Sequence, residues 1–258
     1  MILSFHWWRT VFWLIPAITV YTIVLGAVSL ASSLLDRRGH AAHWCARIWS
    51  WLILATTGVR VHVTGTERVA RDRAYVFVAN HQSIYDIPIL FSMLPFQLRI
   101  IAKASLGSFP VLGWHLRYTG HLLVHRGRHG ATALNLVAGL IDRGHSLLVF
   151  PEGTRSADGE VGGFKGGVFL MAVEADLPIV PVAVIGSRHV MLKGRLMTCP
   201  GEVEVVVHDP LPTRGLTRED VRTLADRTRE IVRTTVRQRD GHVRELEHGC
   251  QPVSTVSR

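Results

Sequence analysis

The chain has 258 residues, which is enough for one compact domain and a short additional segment. Apolar residues make up 48% of it and charged residues 19%, a balance that indicates membrane contact. The formal net charge of +9 favours anionic partners, and because no zinc-finger, RNA-binding or basic-zipper pattern occurs, a lipid surface or a phosphate-bearing ligand is favoured over nucleic acid.

The N-terminus contains a long uncharged apolar stretch, residues 11–35. A helix of about 20 apolar residues crosses a bilayer, so this stretch is long enough to span. Trp7, Trp8 and Trp13 lie near one end, where indole rings favour the membrane interface. A cleaved signal peptide normally has a shorter apolar core, of about 7–15 residues, and a run this long without charge argues against a buried core helix.

A second apolar stretch, residues 44–59, is interrupted by Arg47 and closed by Gly58. It is short for a span, and its helical periodicity predicts a helix that lies on, or dips into, one leaflet. We therefore predict membrane-anchoring helices over residues 1–58, a catalytic domain over residues 59–240 and a flexible tail over residues 241–258.

After Gly58, short β-rich runs alternate with helical stretches. The predicted strands are residues 75–79, 99–102, 122–124, 147–150, 179–185 and 203–208. The predicted helices are residues 86–93, 111–118, 131–143, 166–174 and 217–239, the last with Thr217 as its N-cap. Because several strands are continuously apolar, both faces of the sheet should be covered. The pattern predicts an α/β fold with a mixed, largely parallel sheet flanked by helices, preceded by a membrane-embedded helix pair.

The first candidate motif is N-H-Q-S-I-Y-D, residues 80–86, directly after a predicted strand. Pro88 is tolerated only in the first turn of a helix, which predicts a helix beginning near Asp86 and places His81 on the preceding loop. Asp86 can then reach back to His81, leaving the second imidazole nitrogen free as a general base for a substrate hydroxyl. On spacing alone, Asp86 as a simple N-cap beside a structural His81 fits equally well.

The second candidate motif is F-P-E-G-T-R-S, residues 150–156, where a strand opens into a loop. Gly153 permits close approach of the backbone to a ligand, and Arg155 offers a planar fork for a phosphate. Lys103 and Arg126 also follow predicted strands, so three cations would lie at three strand ends. The alternatives are an ordinary surface turn and scattered solvated charges.

Other signals are weaker. The segment F-K-G-G, residues 164–167, could present N–H groups to an anion, but an ordinary helix start is favoured. No histidine group has supported metal-ligand spacing, and no G-x-S-x-G elbow, Walker loop or dinucleotide fingerprint occurs. Cys45, Cys199 and Cys250 are far apart and odd in number, which is typical of a reducing, cytosol-facing setting.

Together these motifs resemble the bacterial 1-acyl-sn-glycerol-3-phosphate acyltransferases of the glycerolipid acyltransferase family. The resemblance covers roughly residues 58–207, with an N-H-x-x-x-x-D block at 80–86 and an F-P-E-G-T-R-S block at 150–156. K-A-S-L at 103–106 and I-V-P-V-A at 179–183 are similar to two further blocks. One departure lies in residues 120–126, where Arg126 is kept but His125 replaces the usual aspartate.

The resemblance implies that His81 takes the proton from the acceptor hydroxyl, that Asp86 orients His81, and that the hydroxyl attacks a thioester directly. The implied glycerol-phosphate ligands are Lys103, Arg126, Glu152, Gly153, Thr154 and Arg155. It implies no cofactor and no metal. It implies acyl-CoA or acyl-carrier protein as donor, a lysophospholipid as acceptor and phosphatidic acid as product. The helices would hold the site among membrane lipids at the cell (inner) membrane, with the catalytic domain facing the cytoplasm.

The motifs indicate the chemistry better than the acceptor. A lyso-ornithine lipid, another lysophospholipid or glycerol 3-phosphate are alternative acceptors, and a non-catalytic membrane lipid-binding protein is a more distant alternative. The topology is open as well, because a single span would place Met1 outside whereas a re-entrant helix pair would keep it inside.

Overall fold

The computed structural model describes residues 5–36, 38–108, 112–124, 139 and 144–245. In these residues seven strands form one sheet. The strands are β1 (Val59–Thr64), β2 (Val76–Ala79), β3 (Leu98–Lys103), β4 (Leu122–Val124), β5 (Ser146–Val149), β6 (Ile179–Ile185) and β7 (Gly201–Val207).

The order of the strands across the sheet is β1-β7-β6-β2-β5-β3-β4. Strands β6, β2, β5, β3 and β4 are parallel to one another. Strand β7 is antiparallel to β6 and parallel to β1, so the β1–β7 pair runs opposite to the rest. The prediction of a mixed, largely parallel sheet is confirmed.

The helices lie before, between and after the strands. They are α1 (Phe5–Arg9), α2 (Ile15–Ser32), α3 (His40–Thr57), α4 (Asp86–Met93), α5 (Leu112–Tyr118), α6 (Gly167–Glu174), α7 (Ser187–Val190) and α8 (Val221–Glu245). A π-helical turn, Thr10–Leu14, joins α1 to α2. Two short 3-10 helices, Thr66–Arg68 and Ala104–Ser108, follow β1 and β3.

Both faces of the sheet are covered by helices. Phe77 of β2 packs in a cluster with buried side chains of α3 and α4, such as Ile53 and Ile89. Its neighbours Val76 and Val78 pack on the opposite face in a cluster that includes side chains of α6 and α8. Because side chains alternate along a strand, a strand buried on both faces must be continuously apolar, as β2 is.

The last helix begins later than predicted. Thr217 donates both its N–H and its hydroxyl to the Asp220 carboxylate, at 2.8 and 3.0 Å, which holds residues 217–220 in a turn. The helix then begins at Val221 and continues to Glu245, past the predicted start of the tail. The predicted start at Thr217 was therefore wrong. Residues 246–258 and, apart from Gly139, the predicted helix 131–143 lie outside the described residues.

The N-terminal helices pack against each other in opposite directions. Trp49 Nε1 of α3 donates to Thr22 Oγ1 of α2 at 3.0 Å, and the hydroxyls of Tyr21 and Thr56 are 3.1 Å apart. The segment Phe5–Ser32 contains an 18-residue stretch with a mean hydropathy of 2.2, and it is the one helix in the described residues that is long and apolar enough to cross a membrane.

The predicted membrane-embedded helix pair is not confirmed, because α3 is docked on the α/β domain. The Arg47 guanidinium donates to the carbonyls of Leu94 and Ser92, and Ile53 and Leu54 are part of the domain core.

Of the three cysteines, Cys45 is free and buried in α3, and Cys250 lies outside the described residues. The reducing setting inferred from their spacing stays a prediction.

Candidate active site

The loop between β2 and α4 brings His81 and Asp86 into contact. His81 Nδ1 lies 2.8 Å from Asp86 Oδ2. Helix α4 begins at Asp86 with Pro88 in its first turn, so the geometry inferred from the proline is the one observed. The Asp86 side chain is fully buried, whereas that of His81 is 17% exposed. Because an ionised carboxylate only accepts, the contact assigns the proton to Nδ1 and leaves Nε2 as an acceptor.

The Asp86 carboxylate stabilises the loop and does not cap the helix. Its Oδ2 also accepts the N–H groups of Gln82, at 2.7 Å, and Ser83, at 2.9 Å. The N-cap position belongs to Tyr85, which makes no side-chain capping hydrogen bond. The alternative of Asp86 as a simple N-cap therefore does not describe this loop, and the carboxylate is held in one orientation towards the imidazole.

The two candidate motifs interlock although about 70 residues separate them in sequence. The His81 ring stacks on Phe150, with ring centroids 4.2 Å apart and planes at 24°. The N–H of His81 donates to Glu152 Oε1 at 2.9 Å, and the N–H of Ser156 donates to the His81 carbonyl at 2.7 Å. The F-P-E-G-T-R-S loop thus fixes both the ring and the backbone of the candidate base.

Glu152 is a buried carboxylate with backbone partners on both oxygens. Besides the His81 N–H on Oε1, the N–H of Gly162 donates to Oε2 at 3.1 Å. Burial raises the pKa of Glu152, and the two backbone N–H donors partly offset that effect. The contacts make Glu152 a link between the two loops, while the predicted contact of Glu152 with the substrate stays a prediction.

Beyond Glu152, the loop turns outward and carries a cation. Gly153 has a φ of +73°, in the left-handed region, and the Lys165 ammonium lies where a Cβ at Gly153 would be. Lys193 Nζ donates to the Arg155 carbonyl at 2.7 Å and contacts Thr154 Oγ1 at 3.3 Å. Within the described residues the Arg155 guanidinium has no hydrogen bond or ion pair, so it is available to an anion.

Of the three cations predicted to bind phosphate, Arg155 is the one whose side chain the structure describes. Lys103 is the last residue of β3, at the same edge of the sheet as Phe150, because β3 and β5 are parallel neighbours. Its side chain and the whole of Arg126 lie outside the described parts of the chain. Phosphate binding by these two residues stays a prediction.

Sequence reasoning missed two lysines at the site. Lys165 does precede a helix start, as predicted, but the sequence does not indicate that its ammonium lies beside Gly153. Lys193 follows α7 in a loop without a recognisable motif, and only the fold brings it to Arg155. Its apolar and glycine neighbours in the sequence gave no signal of a site.

The similarity to known proteins includes both motifs. The Acyltransferase family model matches residues 60–185. The chain is 32% identical over 227 residues to the human 1-acyl-sn-glycerol-3-phosphate acyltransferase beta, a match that covers 84% of this chain and 81% of the human protein. This chain belongs to the acyltransferase family.

Other members of the family are similar in sequence and in fold. A 1-acyl-sn-glycerol-3-phosphate acyltransferase of Chlamydomonas reinhardtii is 34% identical over 201 residues, which cover 76% of this chain. The crystal structure of the 1-acyl-sn-glycerophosphate acyltransferase of Thermotoga maritima has a TM-score of 0.69 and 28% identity, covering 91% of this chain and 97% of that one. The chain spans 58% of the Chlamydomonas protein and 65% of the human alpha enzyme, so it corresponds to only part of these longer relatives.

Proposed function

We propose that this chain transfers a fatty acyl group from acyl-CoA or acyl-carrier protein to the sn-2 hydroxyl of 1-acylglycerol 3-phosphate, giving phosphatidic acid. The observation that carries the proposal is the 2.8 Å contact between His81 and buried Asp86, beside a loop whose Arg155 is free to bind an anion. The acceptor is the one named for the human, algal and Thermotoga relatives.

In the proposed reaction His81 acts as a general base. Its Nε2 accepts the proton of the acceptor hydroxyl while that oxygen bonds to the thioester carbonyl carbon, and Asp86 stabilises the resulting imidazolium. When the tetrahedral intermediate collapses, the C–S bond breaks and the thiolate takes the proton back from His81. One ester and one thiol are formed, and the imidazole returns to its neutral state.

Direct transfer is supported by the absence of a placed nucleophile in the His–Asp loop. The hydroxyl residues of that loop, Ser83 and Tyr85, are both buried; Ser83 donates to the Met191 carbonyl at 3.0 Å and Tyr85 donates to Thr198 Oγ1 at 3.5 Å. A serine held in this way has neither access to a substrate nor the His81 ring as its base. The imidazole therefore acts on the substrate's own hydroxyl.

The acceptor's phosphate is assigned to Arg155, together with Lys103 and Arg126, since guanidinium and ammonium groups bind phosphate through charge-assisted hydrogen bonds. Glu152, Gly153 and Thr154 would shape the loop around the glycerol. No cofactor takes part in this scheme.

The N-terminal helix would hold the site at the inner membrane, where the acyl chains of its substrates lie. The Arg9 guanidinium donates to the carbonyl of Thr57, at the end of α3, and Thr10 Oγ1 accepts the Thr198 N–H at 2.9 Å. These contacts anchor the first turns of the apolar helix to the domain. Exposed aromatic side chains such as Trp8, Phe12 and Trp13 surround that end of the helix and suit a membrane interface. A cytoplasmic orientation of the domain is part of the proposal.

The test is an assay of purified membranes with labelled 1-acylglycerol 3-phosphate and each donor, run beside other lysolipids and glycerol 3-phosphate. We expect phosphatidic acid as the main product and a loss of about 10²–10⁴-fold in turnover for His81→Ala. His62→Ala, on the exposed face of β1, is the control and should keep full activity. Turnover of another acceptor while lysophosphatidic acid is ignored would refute the acceptor, and an active His81→Ala enzyme would refute the mechanism.

A further inference from the structure

A loop without regular secondary structure, residues 191–198, joins α7 to β7 and is closed at its base. The N–H of Cys199 donates to the Val190 carbonyl at 2.8 Å, where the two ends of the loop meet. At its tip, the Arg195 N–H donates to the Leu192 carbonyl at 3.2 Å, and Gly194 adopts a φ of +81°. The loop is therefore a compact unit and not an extended connection.

This loop is held by two other parts of the site. Ser83 Oγ donates to the Met191 carbonyl at 3.0 Å, which ties the loop to the His–Asp segment. The Thr198 N–H donates to Thr10 Oγ1 at 2.9 Å, which ties it to the first turns of the N-terminal helix. Both partners are buried, so the base of the loop has a fixed position relative to His81.

From this base, Lys193 reaches the F-P-E-G-T-R-S loop. Its Nζ donates to the Arg155 carbonyl at 2.7 Å and contacts Thr154 Oγ1 at 3.3 Å. Within the described residues, no other hydrogen bond is made by that carbonyl or by the Thr154 hydroxyl. An ammonium has three donors, so one N–H of Lys193 is left for a third acceptor on the open side.

We propose that Lys193 is a positioning residue that holds Arg155 towards the phosphate of the acceptor and adds its own charge to the phosphate site. The inference rests on the proposed transfer to a phosphate-bearing acceptor. Lys193 lies outside the stretch matched by the family model, residues 60–185, and reaches the site through the 191–198 loop alone.

The test compares Lys193→Met with two matched variants in steady-state kinetics with lysophosphatidic acid. Lys193→Met should raise the KM for lysophosphatidic acid about tenfold, with kcat within about twofold and the donor KM unchanged, because Arg155 and the phosphate lose a charge-assisted contact. Lys193→Arg retains a cation and several donors, and should restore most of the affinity. Arg195→Met is the control, because Arg195 is an exposed cation of the same loop whose side chain has no hydrogen bond or ion pair in the described residues.

The outcomes separate this inference from the proposed function. Turnover of lysophosphatidic acid by the wild type tests the function, and the KM ratio of the variants tests the role of Lys193. An unchanged KM in Lys193→Met would overturn the inference, and so would an equal rise in Arg195→Met, which would indicate a general effect of surface charge. A fall in kcat with constant KM would also overturn it, since positioning for phosphate binding acts on KM.

Discussion

Asp86→Asn is the substitution that tests the His–Asp pair with the least change in shape. The amide oxygen can take the place of Oδ2 and accept the same three donors, from His81, Gln82 and Ser83. The amide NH2 group then takes the place of Oδ1, which is buried and has no hydrogen-bond partner in the described residues. A buried NH2 without a partner costs about 1–3 kcal/mol of folding stability.

The larger effect is expected on catalysis. In the transition state His81 gains a positive charge, which the Asp86 carboxylate attracts and an uncharged amide at the same position does not. Two unit charges about 4 Å apart, a separation typical of a ring and a carboxylate in hydrogen-bond contact, interact by about 4 kcal/mol at an effective dielectric constant near 20. Since about 1.4 kcal/mol changes a rate tenfold, kcat should fall by about 10³-fold in Asp86→Asn while the acceptor KM changes little.

The assay measures kcat and KM for lysophosphatidic acid, together with thermal unfolding of the same preparations. Asp209→Asn, at a carboxylate that is 82% exposed and follows β7, is the matched control and should behave as the wild type. A folded Asp86→Asn enzyme with kcat within about threefold of the wild type would refute the role of the carboxylate in stabilising the imidazolium.

Two further predictions concern the F-P-E-G-T-R-S loop. Gly153→Ala forces an L-residue into the left-handed region, at a cost of about 1–2 kcal/mol, and displaces the Lys165 ammonium. Both the Tm and the affinity for the acceptor should therefore fall. Gly163→Ala is the control and should change neither by much, because a Cβ at Gly163 would point into open space. Burial raises the pKa of Glu152, so this carboxyl ionises at a lower pH in the unfolded chain than in the folded protein. The stability that its protonated form contributes to the folded protein is therefore fully present in acid and is lost as pH rises through the raised pKa. Glu152→Gln does not titrate and places an amide NH2 against the Gly162 N–H, so its Tm should be lower than that of the wild type. The difference in Tm should become smaller as pH rises. A difference that grows with pH would contradict the raised pKa of Glu152.

Much of the fold followed from local sequence signals. The continuously apolar strands predicted a sheet covered on both faces, and Pro88 placed the start of α4 at Asp86. Pro88 was decisive for the prediction that His81 and Asp86 are in contact, because it places His81 on a loop and Asp86 at the start of a helix. Local conformation and alternation of apolar residues depend on near neighbours in the sequence, which is why they were predictable.

The misses have two different causes. At Thr217 the cause is local, because its hydrogen bonds to Asp220, three residues on, form a turn, and the helix begins only at Val221. Lys193 has no motif around it, and its place beside Arg155 depends on a loop tied to Ser83 and Thr10. No pattern within a short window of sequence contains such information.

The position of the site follows from the order of the strands. Strand β2 lies between β6 and β5 and is parallel to both, so its carboxyl end meets the ends of two neighbours. On one side, the Asn80 side chain pairs with the N–H and carbonyl of Val184, both at 2.8 Å. On the other, the next residue, His81, donates its N–H to Glu152 after β5. The candidate base is thus fixed by backbone and buried side-chain contacts from both neighbouring strands, whereas Arg155 and Lys193 lie on loops. Because Glu152 and Ser156, on either side of Arg155, both bond to the His81 backbone, a change in the F-P-E-G-T-R-S loop should affect phosphate binding and the orientation of His81 together.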